Sequence, residues 1–225
     1  MDDVTFLFPF GNDSNQRLKN LECVLNYYRK RWPTIPFVIS EIGKTQTEIN
    51  KPTNTKHIFT ENTGLHSQSK AINCGIDVIK TKVLVCIDAD IILTDYINLD
   101  VLIRDILIDD IDYGLPYDEC LDFPHFRARI GYNKEVIGGI FVVNLNKFKN
   151  VGGQSEKYKG WGFEDNERHY RLLRNNFKFK RMDGTLFHLE HPDQNNKYQN
   201  FEINKQHFIN EHKLNYKYGK NYRNE

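Results

Sequence analysis

The chain lacks an excess of charge of either sign: 31 Lys and Arg stand against 30 Asp and Glu, a formal net charge of +1. Nucleic-acid binders usually carry a clear basic surplus, so that class is set aside. It also lacks clustered cysteine. Cys23, Cys74, Cys86 and Cys120 are scattered with no CxxC pair, which argues against a zinc cage or disulfide framework and for a reducing compartment. Long hydrophobic runs are missing too. The most apolar stretch, VLVCIDADIIL at 83–93, is too short to cross a bilayer and carries two carboxylates. The opening MDDVTFLFPFGND has no basic segment before its few apolar residues and does not read as a signal peptide. These absences predict a cytoplasmic chain with no integral membrane segment, whose membrane contact, if any, is peripheral.

What is present suits a globular protein. Its 225 residues are 39% hydrophobic and 27% charged, enough for a sizeable core. Val4–Phe8 reads as a strand ended by Pro9. Leu18, Leu21, Val24, Leu25 and Tyr28 recur at helical spacing, which predicts a helix over 16–31. Strands are expected at 37–40, 57–60 and 83–87, with a helix over 67–79 between the last two. This alternation predicts an α/β protein with a mostly parallel sheet flanked by helices. Beyond it, a helix is expected over 100–108, a strand over 139–144, a helix over 164–175, a strand over 186–189 and helix around 203–211. Residues 112–135 resist assignment. No repeat or linker interrupts the chain, so a single domain is expected.

Three motifs carry chemistry. Asp88-Ala-Asp90 follows the apolar strand 83–87 directly. If the chain stays extended, both carboxylates point the same way. Two such groups beside an apolar strand are costly unless a cation neutralises them, and oxygen ligands suit Mn²⁺ or Mg²⁺. An ordinary solvated strand end would read the same. A phosphatase-type aspartyl nucleophile normally has Thr two residues on, where this chain has Ile92. Second, GWGFED at 160–165 offers two glycines around an indole that could face a sugar ring, then two acids. Glu164 and Asp165 would also suit a helix N-terminus with no further role. Third, His188 and His191 in LFHLEHP could complete a manganese site, although either could be merely structural. The loop near 153–161, within GGQSEKYKGW at 152–161, has the small and polar side chains of a closing lid or of a plain surface loop.

Taken in order, Pro9-Phe10, Arg17, Ser69-Lys70 with Asn73, Asp88-Ala-Asp90, GGIFVVN at 138–144, GWGFED and HLEHP resemble a GT-A glycosyltransferase. The likeness is to the C-terminal region of β1,4-galactosyltransferases and to bacterial chondroitin-polymerase-type enzymes, over roughly 4–41, 65–92 and 137–192. It implies a GT-A (Rossmann-like) single domain over 1–225: a nucleotide-binding half at 1–92, an acceptor and catalytic half at 93–192 and a C-terminal extension at 193–225. It implies a UDP-sugar donor held through Mn²⁺ or Mg²⁺ and a glycan or glycoconjugate acceptor. By position, Asp90 and His188 match metal ligands, with His191 the second choice, and Asp88 faces the metal or the ribose. Asp165 matches the general base, Glu164 a ligand of the acceptor hydroxyl and Trp161 the sugar-stacking residue. Pro9, Phe10, Arg17, Glu41, Lys70 and Gly139 match the nucleotide-sugar pocket. Inverting transfer of the sugar is the implied reaction. The segment 93–135 matches nothing in the family pattern, and no membrane anchor is expected ahead of the domain. The competing reading is a non-catalytic nucleotide-sugar or glycan-binding module on the same fold. A nucleotidyltransferase would usually show a glycine-rich loop after its first strand, which PFGNDSNQR lacks.

Overall fold

A computed structural model describes residues 3–65, 67–128, 137–192 and 198–213. His66 and parts of the two segments 112–135 and 193–225 therefore lie outside the described residues. In chain order the elements are β1 (Val4–Phe10), α1 (Asn15–Arg31), β2 (Phe37–Gly43), β3 (Thr55–Glu61), α2 (Gln68–Asp77) and β4 (Val83–Ile87). Then come β5 (Ile91–Leu93), α3 (Tyr96–Leu107), β6 (Tyr113–Leu115), β7 (Glu119–Phe123), β8 (Arg127–Ala128) and β9 (Ile140–Asn144). The chain continues with α4 (Leu145–Asn150), α5 (Glu164–Arg174), β10 (Phe179–Arg181), β11 (Thr185–Leu189) and α6 (Phe201–His212).

A seven-stranded sheet runs in the order β10-β6-β9-β4-β1-β2-β3. It is mostly parallel, as expected, with β9 inserted antiparallel to both β4 and β6. Strands from both sides of residue 92 share it. The alternation of β1 sets its two faces: Phe6 and Phe8 contact Tyr28 of α1, while Leu7 meets α2 at Gly75. A Cβ at Gly75 would lie 2.4 Å from Leu7 Cδ1, so only glycine lets α2 approach this closely.

β1 does not stop at Pro9 but continues to Phe10, paired with β2 through Glu41. Its pairing with β4 has ended at Leu7, so one flank carries no ladder and tolerates a residue without an N–H. The helix starts follow local chemistry. Ser14 and Ser67 cap α1 and α2 by accepting from the backbone N–H of Arg17 and Lys70.

A smaller sheet, β5-β11-β7-β8, is the feature that periodicity did not foresee. Its strands are two to five residues long, with little room for a repeating pattern. No described helix is long and apolar enough to cross a membrane.

Candidate active site

The chain turns immediately after β4. Asp88 donates its N–H to the Gly139 carbonyl at 2.8 Å, and Ile91 N–H closes the turn on the Asp88 carbonyl at 3.2 Å. The extended geometry expected for 88–90 is therefore absent, and the two carboxylates part. The Asp88 oxygen accepts a 2.5 Å hydrogen bond from the Gln68 amide. Partial burial, then the nearby acids Asp165 and Asp90, push the Asp88 carboxyl well above its usual range.

Asp90 enters the small sheet instead. Leu189 N–H bonds the Asp90 carbonyl at 2.8 Å, and Ile91 of β5 is the register partner of His188 on β11. This ladder brings together residues about a hundred positions apart. His191 Nε2 lies 3.1 Å from Asp90 Oδ2, His188 Nε2 lies 4.0 Å from it and Arg17 Nη2 3.8 Å. Burial opposes a charge on Asp90. The His191 hydrogen bond, Arg17 and His188 outweigh it and hold the carboxyl far below its usual range. The His191 imidazole is pushed up, chiefly by that same hydrogen bond.

Both histidines are held from behind. His188 Nδ1 sits 3.0 Å from Asp122 Oδ1, its register partner on β7, and His191 Nδ1 sits 2.9 Å from the Pro192 carbonyl. Each ring thus directs Nε2 towards Asp90. One buried carboxylate and two imidazoles braced at Nδ1 form a donor set suited to a divalent metal such as manganese. Ligand atoms of Asp90, His188 and His191 all lie within 4.8 Å of one another. Asp88 is not brought into that group, and His191 joins His188 rather than replacing it. Asp122 was missed because it lies in the unassigned segment; nothing in its sequence neighbourhood marks it.

The second motif forms the start of α5. Gly160, Gly162 and Phe163 all have positive φ, and Phe163, at +68°, is the residue that immediately precedes the helix. That conformation is strained for a bulky residue; the Phe201 and Phe208 rings that pack against Phe163 hold it. Trp161 stacks on Phe201 at 5.7 Å and stays 37% exposed, so it presents indole surface from a rigid base. Glu164 is 7% exposed. Burial, then the Asp165 charge, raise its carboxyl to about 8.

Asp165 Oδ1 accepts a 2.6 Å hydrogen bond from the buried Arg168, which is itself anchored to the Ile137 carbonyl at 2.7 Å. Asp165 Oδ2 lies over Gly138, where a Cβ would come within 2.4 Å of it. Gly139, the next residue, carries the carbonyl that bonds Asp88. Its own Cβ would crowd Leu186 and Ile91. The turn at 88–90 therefore stands between Asp165 on one side and the Asp90–histidine trio on the other.

The other predicted residues fall unevenly. Pro9 and Phe10 are buried at the end of β1. The Glu41 carboxylate is spoken for within the fold: it accepts from Thr47 N–H at 3.1 Å and hydroxyl at 2.5 Å and lies 2.8 Å from His57 Nε2. Lys70 is partly buried in the first turn of α2. The segment 153–161 is tied down rather than loose. Gln154 is buried and donates to the Glu164 carbonyl at 2.9 Å, its N–H bonds Asn73, and Tyr158 is buried.

The fold is the GT-A fold of glycosyltransferases, in the form found in β1,4-galactosyltransferases. Two structures of Drosophila β1,4-galactosyltransferase 7 share it at 17% identity. A mutant in complex with manganese, UDP-Gal and xylobiose superposes with a TM-score of 0.56 over 88% of this chain and 74% of that one. The catalytic domain in complex with xylobiose superposes with 0.59 over 91% and 80%. In sequence, residues 108–193 match the family described as the N-terminal domain of galactosyltransferase. That match takes in 108–135, which the family pattern had left unmatched in the sequence. Xylosylprotein 4-beta-galactosyltransferase of Caenorhabditis elegans is 29% identical over 104 residues, 43% of this chain. The chain spans about a third of that relative's length, 34%. Over residues 108–193 the chain is therefore similar in sequence to galactosyltransferases.

Proposed function

We propose that the chain is a metal-dependent inverting glycosyltransferase that moves a sugar from a UDP-sugar to an acceptor hydroxyl in glycan or polysaccharide synthesis. The observation that carries this reading is the 88–90 turn, with a braced metal-type donor set on one side and an oriented carboxylate on the other. Asp90, His188 and His191 would hold Mn²⁺ or Mg²⁺. When bound, such an ion supplies charge neutralisation for the departing diphosphate. The similar Drosophila structure is a complex with manganese and UDP-Gal, which supports a metal-dependent use of a UDP-sugar.

The chain's own residues would do the rest. Asp165, oriented by Arg168, takes the proton of the acceptor hydroxyl. That oxygen attacks the anomeric carbon from the face opposite UDP, and the bond to the diphosphate breaks with its electron pair leaving on UDP. One displacement inverts the centre, so an α-linked donor gives a β-linked product. Glu164 binds the acceptor hydroxyl, and the exposed face of Trp161 packs against a sugar ring. Arg17 is placed beside Asp90 to meet the nucleotide's phosphates, and Lys70, Pro9, Phe10 and Gly139 line the donor pocket. Glu41, bonded to Thr47 and His57, shapes the end of β2 at the edge of that pocket.

The test is UDP release from UDP-Gal, UDP-Glc, UDP-GlcNAc and UDP-GalNAc, with a panel of sugar acceptors, in manganese and in chelator. Manganese-dependent release with one donor is expected. Binding of UDP-sugars with no release, in any acceptor, would favour the non-catalytic module.

A further inference from the structure

A second group of metal-type ligands lies away from this site, where α6 ends against α5. Ligand atoms of Glu167, Glu211 and His212 all lie within 4.8 Å of one another. Glu167 is 1% exposed and His212 3%, and neither ring nitrogen of His212 has a hydrogen-bond partner among the described residues. A buried imidazole with both nitrogens unsatisfied is costly. It sits among apolar rings, 4.8 Å from Phe208 and 5.6 Å from Tyr170.

We propose that Glu167, Glu211 and His212 form a second divalent-cation site, suited to zinc, that clamps the end of α6 to α5. The cations already present leave room for it. Arg171 contacts Glu167 at 2.6 Å but is also fixed to the Val151 and Gly153 carbonyls, and a carboxylate has lone pairs beyond those it uses there. Lys157 pairs with Glu211 at 3.2 Å from a side chain that is 68% exposed, so it can swing into solvent. Tyr158 donates to Glu211 Oε2 at 3.2 Å and orients it. Mixed imidazole and carboxylate ligands favour zinc over the harder magnesium or calcium. The site is independent of the transferase reading. It has a structural consequence all the same, since α6 carries Phe201, on which Trp161 stacks.

The experiment is zinc titration of chelator-treated full-length protein, read by calorimetry and by melting temperature, for the parent, His212→Gln, Glu211→Gln and Asp90→Asn. His212→Gln and Glu211→Gln are each expected to lose one zinc equivalent. Asp90→Asn should keep the equivalent that those two lose. Zinc at a hundredfold over Kd should raise the melting temperature of Asp90→Asn by about 5–10 °C. Glu211 is exposed, so its glutamine variant tests the site even if His212→Gln does not fold. Unchanged zinc stoichiometry in Glu211→Gln, or no zinc-induced rise in Asp90→Asn, overturns the proposal. Loss of zinc binding in Asp90→Asn alone would count against it too, because it would assign all zinc to the first site.

Discussion

His188 and Asp122 face each other across adjacent parallel strands, with Nδ1 of the imidazole 3.0 Å from a carboxylate oxygen. The pair fixes the ring so that its other nitrogen turns towards Asp90. Removing such a brace typically weakens metal binding 10- to 100-fold. Asp122→Ala is therefore expected to lower manganese affinity by about that factor, and Asp122→Asn, which keeps an acceptor oxygen, by less. Manganese titration of UDP binding measures it; equal affinities in all three proteins would remove Asp122 from the site.

Asp165→Asn keeps the shape of the side chain and can still contact Arg168 but cannot accept the proton. Turnover is expected to fall about 10²- to 10⁴-fold, the usual contribution of a general base, while UDP and manganese binding stay as they are. Parallel loss of nucleotide affinity would instead assign Asp165 to the donor pocket.

Gly138→Ala tests the same carboxylate from the other side. Its new Cβ would lie 2.4 Å from Asp165 Oδ2, so the aspartate must shift. Displacement of a reacting group by about 1 Å can cost on the order of 10²-fold in rate. A variant with parental melting temperature and a much reduced turnover is the expected result. Parental turnover would mean that the position of Oδ2 does not matter.

Glu164 gives a pH signature. Its carboxyl titrates at about 8 in the fold against 4.5 ordinarily. Between those values the folded chain holds a proton that the unfolded chain has released. The stabilising contribution is thus complete below about pH 4.5, declines as pH rises and is gone above about 8. Glu164→Gln removes this dependence, so the variant should gain on the parent by a few kcal/mol between pH 5 and 9. Denaturant melts across that range measure the difference, and a difference that does not change with pH contradicts the assignment.

The parallel half of the large sheet was legible mainly because β1, β2 and β4 are buried β-branched and aromatic runs, and α1 and α2 start at clear caps, Ser14 and Ser67. Asp90, His188 and Asp165 were legible as residue types in motifs. Their convergence was not. It depends on the turn at 88–90, which sends β5 into a second sheet of very short strands. β7 is as long as β4, but ECLDF carries two acids and only one of its residues is buried, so no apolar run marked it, or Asp122 within it. Asp88 parts from Asp90 because alternation holds only while the backbone stays extended, and the Asp88 N–H is captured by Gly139 as β4 ends. The Glu41 contacts were invisible because they are made by Thr47 and His57, residues with no pattern of their own.

Asn20, in the first helix, donates to the carbonyls of Leu189 and Glu190. The chain's beginning thus grips the segment that delivers both histidines. A ribosome will have released Arg17, Asp90 and the parallel strands β1 to β4 well before these partners emerge. Until then the acid at the end of the turn has only the arginine for company, and the trio is assembled last, by a closure that spans most of the polypeptide.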